Sequence, residues 1–194
     1  MGADNGLGVA AIMAVLEDQN LKHGPLEALI TKDEETGMYG AFGLKPGTVN
    51  GEILLNLDSE DEGELYIGCA GGMDVTASLE YKEVAPEEGD IAIRVNLKGL
   101  RGGHSGLEIN QGRANANKLL VRFIREAVAT YEARLASWEG GNMRNAIPRE
   151  AHAVVTIPAE NEEELLALVK YCEDLFNEEF KAIETPICFT AERV

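Results

Sequence analysis

The sequence predicts an α/β chain in two parts: helices on a partial mixed sheet over residues 1–72, then an α+β unit over residues 73–194. Three observations predict it. Early apolar runs are continuous, as in strands covered on both faces. Beyond Gly71-Gly72 the apolar residues alternate with polar ones, the period of a half-buried antiparallel strand. Between the later strands lie stretches with the helical spacing of three and four residues.

Taken in order, Leu7 to Leu16 is rich in Val, Ala, Met and Leu and follows Asp4-Asn5-Gly6, which predicts a buried helix capped by Asp4 or Asn5. Leu26 to Thr31 is a strand candidate that follows Gly24-Pro25 and ends at Lys32-Asp33-Glu34-Glu35; a second, Glu52 to Leu57, ends at Asp58. Met73 to Val84 alternates. Asp90 to Leu100 does so more clearly, with Ile91, Ile93, Val95 and Leu97 on one face. A glycine-rich turn, Gly102-Gly103-His104-Ser105-Gly106, leads to a helix from about Arg113 to Tyr131, with strands following over Ala133 to Glu139 and Glu150 to Ile157. Asn161 to Ala182 is an amphipathic helix and Pro186 to Arg193 a last strand. The order strand, helix, strand, strand, helix, strand is the split βαβ, ferredoxin-like arrangement.

Composition narrows the function. The chain of 194 residues carries 34 acidic against 17 basic side chains, a net charge of -17 that repels phosphate backbones and anionic lipid, and no basic patch offsets it. Nucleic acid and membrane surfaces are excluded as partners. No apolar run is long enough to span a bilayer and the N-terminal residues lack a signal-peptide pattern, so the expected location is cytoplasmic. Cys69, Cys172 and Cys188 fit neither a disulfide framework nor a CxxC site, and His23, His104 and His152 form no helical ligand pair. A metal site here must lean on carboxylates.

Glu34, Glu35 and Asp58 follow the carboxyl ends of the two strand candidates, and Asp4 sits where a helix begins. Ligand sites of open α/β sheets gather along that edge. Carboxylates gathered there repel unless a multivalent cation sits among them. Adjacent Glu34 and Glu35 leave an extended backbone in different directions, so one can face a metal and the other a water it deprotonates. Residue type alone also fits blander roles: a helix cap at Asp4, and solvated acidic loops at Asp33-Glu34-Glu35 and Asp58.

The strings Gly2-Ala3-Asp4-Asn5-Gly6-Leu7-Gly8, Thr31-Lys32-Asp33-Glu34-Glu35-Thr36-Gly37-Met38 and Leu57-Asp58-Ser59-Glu60-Asp61 resemble the metal-site motifs of the co-catalytic zinc exopeptidases, a family that includes carboxypeptidase G and carnosinase. The match is best with its aminoacyl-histidine dipeptidase branch, which cleaves Xaa-His dipeptides. The resemblance implies a zinc-exopeptidase domain over residues 1–72 and a lid and dimerisation domain over residues 73–194. It implies two divalent ions, zinc first and cobalt or manganese as alternatives, with Asp4 bridging them, Glu35 on one and Asp58 on the other. Glu34 becomes the general base toward the bridging water.

From the lid, the resemblance has His104 stabilise the oxyanion in a partner subunit, with Arg144 and Asn145 in Asn142-Met143-Arg144-Asn145-Ala146-Ile147-Pro148 as substrate contacts; without it, both strings read as turns. His23 and His152 receive no role. The family's His-x-Asp motif and its C-terminal ligand histidine do not occur in these residues, so the expectation is an internal piece of a longer homodimeric peptidase, inactive alone. Two other readings stay open: another peptidase or N-acyl amino acid deacylase of that family, and a noncatalytic dimerisation module.

Overall fold

The computed structural model describes residues 3–59, 61–69 and 71–194 and divides the chain into two compact units, Met1–Ala77 and Ser78–Val194.

In the second unit the alternation predicted for Asp90 onward is realised in strand β1 (Asp90–Lys98), whose Ile91, Ile93, Val95 and Leu97 are buried while Arg94 and Lys98 face outward. A two-residue strand, β2 (Gly103–His104), pairs with β4 (Ala146–Ile147) in a small ribbon. Helix α4 (Ala116–Thr130) begins three residues later than its periodicity alone suggested, because Asn115 adopts the extended conformation of a cap and accepts the Lys118 N–H at 3.2 Å. Strands β3 (Arg134–Gly140) and β5 (Ala151–Pro158), helix α5 (Glu162–Phe180) and strand β6 (Cys188–Arg193) complete the set. The main sheet has the order β3-β5-β1-β6, with every neighbouring pair antiparallel.

Both helices lie over one face of that sheet. Leu119, Leu120, Phe123, Ile124 and Ala127 from α4, and Leu165, Val169, Cys172 and Phe176 from α5, join Val95, Leu97, Val155 and Phe189 in one core. Phe123 meets Phe189 edge to face with centroids 5.0 Å apart, a favoured aromatic geometry. The Glu173 carboxylate ties α5 to β6 by accepting the Phe189 N–H at 3.0 Å, and Asn177 accepts the Ile187 N–H at 2.8 Å.

The first unit departs from expectation. Helix α1 (Ala3–Glu17) forms, and the Asn5 side chain accepts the Gly8 N–H at 2.8 Å within its first turn. The helix is not buried: Leu7 is 74% exposed and Met13 62%. A helix apolar on all sides needs cover, and among the described residues the first unit forms no sheet to supply it. Among the described residues neither Leu26–Thr31 nor Glu52–Leu57 is a strand, and Ile53, Leu54 and Leu55 are 83%, 81% and 78% exposed. The partial mixed sheet is therefore corrected to two one-turn helices, α2 (Glu34–Gly37) and α3 (Tyr39–Phe42), among non-regular segments. Met73 to Val84 is not a strand either, and its alternating apolar side chains are exposed. A strand needs a neighbour for its N–H and C=O groups, and hydropathy alone does not supply one. No described helix is long and apolar enough to cross a membrane.

Candidate functional site

The candidate residues fall into two groups, one in each unit. In the first, Glu34 and Glu35 open the one-turn α2, after Asp33 in the left-handed conformation, and both are exposed. Asp58 lies in a non-regular exposed segment, and its N–H donates to the Asn56 side chain at 3.1 Å. Asp4 belongs to α1 through its backbone, and its side chain lies outside the described residues. Among the described residues, no three His, Cys, Asp or Glu side chains come together as a metal-holding group.

In the second unit the β2–β4 ribbon does the positioning. Gly103 pairs with Ile147 and His104 with Ala146, and the Ser105 N–H donates to the Asn145 carbonyl at 2.8 Å. The ribbon brings His104 and Asn145 to the wall of one cleft, together with Arg101, Glu139, Arg149 and His152. Arg144 lines a neighbouring cleft with Ser105, Asn117, Lys118 and Arg122.

His104 is held by its own turn. Its Nδ1 lies 3.0 Å from the Gly106 N and 3.1 Å from the Leu107 N, both of which donate to it. Glu108 Oε2 accepts the His104 backbone N–H at 2.8 Å, and this bond is the main reason its carboxyl sits below the usual range; burial opposes it and the Arg113 charge reinforces it.

Sequence reasoning gave His152 no role, yet it lines the cleft of His104, with Nε2 3.2 Å from Glu139 Oε2. The signal was available: alternation along Ala151–Pro158 puts His152 on the face away from the core, where the register pairs it with Glu139. The ribbon left no such trace, since two-residue strands are too short for a periodicity.

Residues 95–184 match the peptidase dimerisation domain family. Similarity extends well beyond that segment. The chain is 46% identical over all 194 residues to the cytosol non-specific dipeptidase of Escherichia coli, and 26% identical over 186 residues to the uncharacterized protein YqjE of Bacillus subtilis. A crystal structure of aminoacylhistidine dipeptidase from Vibrio alginolyticus superposes with a TM-score of 0.73 at 49% identity, covering 100% of this chain and 39% of that one. The chain spans 40% of the length of the Escherichia coli relative and 45% of the Bacillus subtilis one. Resemblance to the aminoacylhistidine dipeptidases thus covers the carboxylate segments of the first unit as well as the dimerisation segment of the second.

Proposed function

We propose that a protein of the relatives' length carrying this chain is a cytoplasmic, homodimeric metallopeptidase that hydrolyses dipeptides, Xaa-His dipeptides first among them. One observation carries this reading: the 46% identity to a dipeptidase runs through the first 94 residues as well as through the dimerisation segment. A shared dimerisation domain alone would leave Asp4, Glu34, Glu35 and Asp58 unexplained.

In this reading the first unit belongs to a zinc-exopeptidase domain, and the second, with its ferredoxin-like order, is the lid through which two copies pair. Asp4, Glu35 and Asp58 supply oxygen donors of the right type for two divalent ions, zinc being the expected one. They fall short in number: a catalytic zinc usually has three protein ligands, often imidazoles, so other donors complete the centre. When bound, such ions acidify a water and polarise the carbonyl of the scissile bond. Glu34 takes the proton from the attacking water and passes it to the departing amine. His104 donates its imidazole N–H to the developing oxyanion, and Asn145, on the same cleft wall, holds the substrate backbone. Arg144 meets the substrate carboxylate, for which a guanidinium has matching geometry.

The experiment is Glu34→Gln in the protein of the relatives' length. Metal content should be kept and the hydrolysis of Xaa-His dipeptides should fall by about 10² to 10⁴ or more, since an amide cannot accept the proton. A variant retaining the wild-type rate removes Glu34 from the base role. The second reading, a noncatalytic dimerisation module, is favoured by the confinement of the described core to residues 91–189. It predicts that the protein of the relatives' length self-associates without turnover of dipeptides.

A further inference from the structure

An imidazole nitrogen that accepts hydrogen bonds carries no proton. His104 Nδ1 accepts two, from the Gly106 and Leu107 N–H groups, so the neutral ring is the Nε2–H tautomer and Nε2–H is its one donor. That is the form an oxyanion donor needs. The tautomer therefore depends on the shape of the turn from Gly102 to Glu108, and the question becomes what fixes that turn.

Two side chains do so. Arg113 Nη1 donates to the Gly102 carbonyl at 2.6 Å, at the start of the turn, while its Nη2 donates to Glu108 Oε1 at 2.5 Å, at its end. Glu108 in turn accepts the His104 backbone N–H through its other oxygen, Oε2, at 2.8 Å. One guanidinium fork thus spans the turn and clamps both ends. The pair is partly shielded, with 17% of the Arg113 side chain and 31% of the Glu108 side chain exposed. Gln111 Oε1 accepts a further bond from Arg113 Nη2 at 2.8 Å. The clamp also explains Gly103, whose φ is +146°: a Cβ there would lie 2.5 Å from Arg113 Nη1 and 2.7 Å from Glu108 Oε2.

We infer that Arg113 and Glu108 are positioning residues for His104, holding residues 102–108 in the one shape that keeps the imidazole an Nε2–H donor at the cleft. This rests on reading His104 as the oxyanion donor, and the clamp acts through that ring. Neither residue touches the reacting atoms. A lysine cannot replace Arg113, because a single ammonium lacks the planar fork that reaches Gly102 and Glu108 together.

The test has two arms. In the 194-residue chain labelled with ¹⁵N-histidine, which has three histidines, the neutral ring of His104 should show an unprotonated Nδ1 and a protonated Nε2. In Arg113→Met its signals should move to the exchange-averaged values of a free imidazole, while those of His23 and His152 stay. Glu108→Gln keeps the side chain but removes its charge, and serves if the first variant does not fold; it should loosen the tautomer in the same direction. A His104 ring that stays purely Nε2–H in a folded Arg113→Met or Glu108→Gln chain overturns the inference.

In the protein of the relatives' length, Arg113→Met should lower kcat by about 10- to 100-fold with KM nearly unchanged, the cost of a misplaced group, and Arg113→Lys should not rescue it. A loosened tautomer with unchanged kcat upholds the clamp and overturns instead the reading of His104 as oxyanion donor.

Discussion

The two units share a similar supply of apolar side chains and use it in opposite ways. In the second, every alternate residue of β1 from Ile91 to Leu97 is buried under α4 and α5. In the first, Ile53, Leu54 and Leu55 stand exposed in a row, and no buried hydrophobic residue occurs among its described residues. Hydrophobicity by itself therefore does not build a core. The second unit holds, within about 100 residues, each strand together with the neighbour that satisfies its backbone, whereas the first holds runs whose partners do not occur among its described residues. The candidate chemistry divides along the same line. Carboxylates suited to metal and base roles lie in the first unit, and groups suited to holding a substrate lie on the ordered ribbon of the second.

The largest effect that could break this comparison is a core deletion. Phe123→Ala, which removes a fully buried ring packed on Phe189, should cost about 3–5 kcal/mol of the second unit's stability. Leu55→Ala in the first unit should change stability by less than about 0.5 kcal/mol, as at other exposed sites. Denaturant unfolding followed at Trp138, which packs against the core, measures both. Equal losses would mean that Leu55 is part of a core after all.

A smaller effect sharpens the same contrast through pH. The Glu173 carboxyl is held below its ordinary value of 4.5 first by the Lys170 ammonium and then by the Phe189 N–H, with burial opposing. Its stabilising contribution is present above pH 4.5 and is lost as pH falls through the lowered value of the folded state. Glu27 is also lowered, chiefly by the Asn50 side chain, but no core stands behind it. Glu173→Gln should flatten the acid limb of the stability profile, and Glu27→Gln should leave it as it was. Unfolding midpoints measured from pH 3 to pH 7 would show which of the two carboxylates the acid limb follows.

How far the sequence carried depends on the kind of signal. A period of two located β1 and its buried face, because it records a strand half covered by its own unit; the same alternation in β5 shows in its burial. The helical period located α4 and α5 to within a few residues; Asn115 then set the start of α4 by a cap that periodicity ignores. The continuous runs at Leu26–Thr31 and Glu52–Leu57 record a demand for burial and say nothing of what answers it. Alternation over Met73–Val84 failed for the same reason. In the candidate site, His104 and Asn145 were legible as motifs, and the ribbon brings them together. The Arg113–Glu108 clamp was not, since its meaning lies in carbonyl and N–H groups that residue types do not display. His152 was overlooked because a lone histidine in a strand carries no pattern until the register pairs it with Glu139.

Amide hydrogen exchange on the 194-residue chain tests the contrast between the units most directly. The amides of Ile93, Val95, Leu97 and Val155 should exchange only when the whole second unit unfolds, since they lie in the buried central strands. Those of Leu26–Thr31 and Ile53–Leu57 should exchange at rates close to those of an unstructured peptide, because no backbone ladder pairs either run among the described residues. Protection of either run comparable to that of β1 would contradict the account.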